Sequence, residues 1–73
     1  MKERETLIKL EDDGEVLVLL DGRRLRVRPE DLPISRMWIP MEELEISDES
    51  SDTMYTVTVR DLEEKQDILA RWI

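Results

Sequence analysis

Two turn signals near the start of this chain, Asp12-Asp13-Gly14 and Asp21-Gly22, limit what the residues around them can become. The first reads as a three-residue hairpin loop with glycine in the left-handed position, the second as a two-residue type I′ turn. With those loop lengths Leu10 pairs with Val16 and Ile8 with Val18. The second turn pairs Leu20 with Arg23, Val18 with Leu25 and Val16 with Val27. Because side chains alternate along a strand, Ile8, Leu10, Val16, Val18, Leu20, Leu25 and Val27 collect on one face, the expected core of a β-meander.

The opposite face carries Leu7, Lys9, Leu17, Leu19, Arg24, Arg26 and Arg28. Its three leucines have two readings. They fill a second small core under a bent sheet, as in a barrel, or they form a patch that another chain covers. On the second reading the candidate contact surface is Leu7, Leu17 and Leu19, with Trp38 at its rim.

Pro29, Pro33 and Pro40 lack the amide donor a ladder needs, so the stretch they punctuate is a connection. It holds Ile34, Met37, Trp38 and Ile39, which are too apolar for a free linker and are expected to pack across an open end of the sheet. Leu44 and Ile46 alternate with Glu43, Glu45 and Ser47 as a short strand with an acidic outer face. Residues 47–53, SDESSDT, read as a flexible acidic loop.

The C-terminal segment supports two structures. DLEEKQDILARWI has helix-forming composition and a capping-box pattern of Asp61 with Glu64, giving a helix at 62–72. Folded back as a hairpin instead, the chain aligns Val59 with Ile68, Val57 with Ala70, Tyr55 with Trp72 and Arg60 with Asp67, which sorts nearly every residue by face. The hairpin places Trp72 in the core. The expected fold class is therefore all-β, one small domain over 1–73 built as a five-stranded meander or barrel. In general shape it is similar to small SH3-like or OB-like barrels; the alternative is α+β with the C-terminal helix.

The 73 residues carry 19 acidic and 11 basic side chains, a formal charge of −8, with neither histidine nor cysteine. A chain of this length makes one domain and buries only about 60% of the surface its unfolded form exposes, here without any disulfide. The commonest general base and the strongest neutral-pH nucleophile are missing, and Ser35, Ser47, Ser50 and Ser51 lie in no nucleophile motif. No catalysis, cofactor or metal is expected. Asp48, Glu49 and Asp52 do not have the spacing of a calcium loop. Arg23, Arg24, Arg26 and Arg28 make a basic stripe, but three aromatic residues and a net negative charge oppose nucleic-acid binding. The longest apolar run, Val16–Leu20, is too short to cross a membrane, and the charged start is not a signal segment, so a cytoplasmic location is expected.

These features describe a non-catalytic binding domain whose partner is another protein or a second copy of itself. The other reading is an acidic inhibitor or nucleic-acid mimic that presents Glu42, Glu43, Glu45, Asp48, Glu49 and Asp52 to a basic groove.

Overall fold

The first loop is one residue longer than its turn signal suggests, and that residue decides which leucines face inward. In the computed structural model, which describes residues 2–73, β1 (Lys2–Glu11) passes into β2 (Val16–Leu19) through Asp12–Glu15. Asp12, Asp13 and Gly14 are all left-handed, with φ of 53°, 57° and 91°. Glu11 then pairs with Val16 and Leu10 with Leu17. The second loop is also one residue longer. Leu20-Asp21-Gly22 joins β2 to β3 (Arg24–Val27), with Gly22 at φ 94° and the Leu19 N–H donating to the Arg23 carbonyl at 2.9 Å. Leu17 thereby pairs with Leu25, Val16 with Arg26 and Val18 with Arg24.

A one-residue slip moves a strand's whole apolar set to the other face. Leu17 and Leu19 therefore point inward beside Leu25 and Val27, while Leu20 is 65% exposed and Ile8 and Val18 leave the core. The register of β1 shifts between Leu7 and Lys9, and this bulge lets Leu7 and Leu10 both turn toward the interior. The proposed contact surface of Leu7, Leu17, Leu19 and Trp38 is corrected accordingly. All four belong to one buried cluster, none more than 3% exposed. The leucines are core, and there is a single core rather than two.

The second half of the chain follows its expected register. β5 (Val57–Asp61) and β6 (Gln66–Trp72) pair Val59 with Ile68, Val57 with Ala70 and Arg60 with Asp67, so no helix forms over 62–72. With β4 (Glu43–Ser47) the strands close into an antiparallel barrel in the order β1-β2-β3-β6-β5-β4, six strands where five were expected. Two three-stranded meanders meet along β1–β4 and β3–β6.

Residues 29–42 cross one end of the barrel by way of a turn at Pro29–Asp31 and the single-turn helix α1 (Leu32–Ser35). Trp38 plugs that end, its indole N–H donating to Gln66 Oε1 at 2.9 Å, with Leu32 and Ile34 packed against the same core. Asp31 fixes the crossing by accepting from the Leu69 N–H at 2.8 Å and from the Arg28 guanidinium.

Trp72 departs from expectation. β5 begins at Val57, so Tyr55 has no ladder partner, and Trp72 pairs with Leu25 at the opposite end of the barrel. There it is 37% exposed under the Arg23 guanidinium, 4.6 Å from the ring centre. The 47–53 loop is knitted by local hydrogen bonds: Ser50 Oγ donates to the Tyr55 carbonyl, and Asp52 Oδ1 accepts from Met54 and Tyr55.

Candidate functional site

β1 is shared between two neighbours, and the sharing leaves part of it unpaired. Its first half, Lys2–Thr6, lies against β4, and its second half, Leu7–Glu11, lies against β2. The β4 side ends where the Leu7 N–H donates to the Glu42 carbonyl at 2.9 Å and the Met41 N–H donates to the Leu7 carbonyl at 2.6 Å. Beyond that clamp, over Ile8–Glu11, the side of β1 turned away from β2 makes no backbone hydrogen bond to any described residue.

A strap of residues 36–42 runs beside this edge and is tied at both ends. Met41 and Glu42 hold one end at Leu7. At the other, Ser35 Oγ donates to the Gly14 carbonyl at 2.9 Å, and Gly14 packs so closely on Arg36 that a Cβ there would stand 2.6 Å from the Arg36 Cα. Any side chain at Gly14 would push the loop off the strap. Between the ties lies an open groove of about 450 Å³ lined by Leu10, Asp13, Gly14, Arg36 and Met37. Its walls are apolar at Leu10 and Met37. Asp12, Asp13 and Arg36 take part in no ion pair among the described residues. The strap also exposes Met37, Ile39 and Met41, at 72%, 59% and 69%.

Beneath the strap sits a buried acid pair. Glu42 is 6% exposed and Asp61 wholly buried. Glu42 Oε1 accepts from the Ile39 N–H at 2.9 Å, Asp61 Oδ1 accepts from the N–H groups of Glu63 and Glu64, and Asp61 Oδ2 has no hydrogen-bond partner among the described residues. Burial, together with a hydrogen bond to Asp61, pushes the Glu42 carboxyl up to about 7.

The remaining candidates are occupied. Arg24 pairs with Glu11, Arg26 with Glu15 and Arg28 with Asp31, so the arginine stripe is neutralised along its length. The six carboxylates of the mimic reading are dispersed. Glu42 is buried, Glu43 accepts from Thr6 Oγ1 at 2.6 Å, Glu45 pairs with Lys2, and Asp52 caps its own loop. Asp48 and Glu49 stay exposed. Among the described residues no group of three histidine, cysteine or acidic side chains is arranged to hold a metal, and no helix is long and apolar enough to cross a membrane.

Comparison with protein-family models, curated proteins and solved structures gives no match, so the functional reading rests on geometry. Sequence reasoning placed Met37 and Trp38 in one packed connection but did not separate them. No local signal separates them: both continue the turn that ends α1, with the Met37 N–H donating to the Ile34 carbonyl and the Trp38 N–H to the Ser35 carbonyl, and which one faces the barrel is set by tertiary packing.

Proposed function

We propose that this chain is a non-catalytic protein-interaction domain that captures an extended segment of another protein by adding it as a strand to the Ile8–Glu11 edge of β1. The observation that carries this reading is the unpaired edge lying beside a groove with apolar walls. An open edge offers main-chain hydrogen bonds for affinity, and pockets beside it select alternate side chains. Leu10 and Met37 suit a large apolar anchor, and the unpaired Asp12 and Asp13 suit a basic residue flanking it.

Another protein fits this edge better than a second copy. Lys9 and Glu11 flank Leu10 with charges of both signs, a common device against edge-to-edge self-pairing, and two copies of a chain with formal charge −8 repel. The barrel's buried core keeps the edge rigid, so little ordering cost falls on the domain.

The test is selection of binders from a displayed library of random ten-residue peptides, followed by titration against the wild type and Met37→Glu. Met37 is 72% exposed, so its replacement leaves the fold intact. Capture is expected to fall at least about tenfold in Met37→Glu, as loss of an apolar anchor worth ~1.4 kcal/mol requires. Equal affinity of the two proteins would remove the groove from the account. Wild-type binding should also survive raised salt, whereas a steep loss would favour the charge-mimicking alternative.

A further inference from the structure

The strap that walls the groove is anchored at its Glu42 end by the most unusual pair of side chains in the molecule. Two buried carboxyl groups from different elements meet, and no basic side chain stands between them. The charged groups facing Glu42 are Asp61 at the end of β5 and Glu64 in the β5–β6 turn. Glu63 of that turn accepts from the Glu43 N–H at 3.2 Å, and Lys65, its only cation, forms no ion pair among the described residues. β1 presents to Glu42 the backbone of Leu7, and the strap presents the Ile39 N–H. Arg36 lies at the strap's far tie, beside Gly14. Backbone N–H groups reach one oxygen of each acid, but no ion pair among the described residues compensates a second negative charge.

We propose that Glu42 and Asp61 form a single-proton latch: with one proton between them the strap is fastened to β1 and β5, and loss of that proton releases residues 39–42 and opens the wall of the groove. Fastened, Glu42 holds three elements together. Its side chain accepts from Ile39 within the strap, its backbone carbonyl accepts from Leu7 of β1, and its carboxyl proton is donated to Asp61 Oδ2 of β5. Ionisation removes the donor, leaves Asp61 Oδ2 without a partner and puts two like charges in a buried contact, which burial makes costly. Relief comes as Glu42 moves toward water, and an outward shift of residue 42 withdraws its backbone clamp on Leu7.

The sign follows from where the proton is held. The Glu42 carboxyl lies near 7 in the folded chain against an ordinary value of 4.5. Its contribution to holding the strap is fully present below about 4.5 and is lost as pH rises through about 7. The latch therefore opens toward alkaline pH, across the physiological range.

This inference rests on the strand-addition reading for its consequence, because an opened wall matters only if the groove binds. Its test is independent of any peptide. Amide hydrogen exchange at Leu7 and Met41, corrected for the intrinsic pH dependence of exchange, should speed up by on the order of tenfold between about pH 5.5 and 8 in the wild type. Glu42→Gln keeps an acceptor for Ile39 and supplies a permanent donor to Asp61, so its corrected exchange should be flat. Should Glu42→Gln fail to fold, Asp61→Asn removes the same like charge and should flatten the profile equally. Parallel profiles in wild type and variant would overturn the latch, as would a carboxyl carbon titration placing Glu42 near its ordinary value. A working latch with no peptide selected would reject the groove alone; selected peptides with a flat wild-type profile would reject the latch alone.

Discussion

The two tryptophans of this chain have exchanged the roles that their positions suggest. Trp72, in the last strand and aligned on paper with Tyr55, lies over the mouth of the barrel under Arg23. That arginine is itself clamped by Glu3 and Asp21, which hold its protonated form strongly while it lowers both carboxyls. Trp38, in a proline-flanked connection, is 3% exposed and hydrogen-bonded to Gln66. Truncation should follow burial. Trp38→Ala is expected to cost about 3–5 kcal/mol, the usual range for a buried tryptophan. Trp72→Ala should cost about 1 kcal/mol, mostly its cation–π contact and partial burial. Chemical denaturation of both variants checks the order, and a Trp72 loss equal to that of Trp38 would contradict it. No composition rule distinguishes these residues, because the difference lies in which strand ends first.

At the scale of elements, what could be read from the chain depended on whether local chemistry named one register or several. The β5–β6 pairing was legible: only one offset sets β-branched Val57 and Val59 opposite Ala70 and Ile68 while placing Arg60 against Asp67, 2.9 Å apart. The first two loops were not. Aspartate tolerates the left-handed region, so Asp12 and Asp13 share it with Gly14 and the glycine no longer marks the loop length. Leu20, apolar by type, is spent in the second turn. One residue in each loop was enough to turn β2 over. Leu17→Glu should therefore unfold the domain, since it places a charge at a fully buried site, whereas Leu20→Glu should change stability by no more than about 0.5 kcal/mol. Circular dichroism separates them, and a folded Leu17→Glu protein would return β2 to the other face. The groove itself had no local signature, because it exists only where the β1–β4 pairing stops at Leu7 and the strap rejoins the barrel at Gly14.

The whole molecule combines a closed, well-buried barrel with a stretch of β1, Ile8–Glu11, whose side turned away from β2 has no backbone partner among the described residues. Most of its arginines are held by carboxylates, so the net charge of −8 is expressed through acids left unpaired, Asp12 and Asp13 beside the groove among them. Such a surface repels phosphate and favours basic segments. Three of the seven large apolar side chains exposed among the described residues, Met37, Ile39 and Met41, lie in the strap, whose fastening on the proposed latch depends on one proton. On the proposed reading the barrel, its open edge and the strap act together as a peptide clamp, and the central claim of that reading is that binding uses the backbone of β1. The most direct measurement compares a selected peptide with two twins N-methylated on alternate amides. In a strand added to an edge, one set of amides bonds to β1 and the other points to solvent. Methylating one set should abolish binding and methylating the other should leave it nearly unchanged, whereas equal binding by both twins would contradict strand addition at Ile8–Glu11.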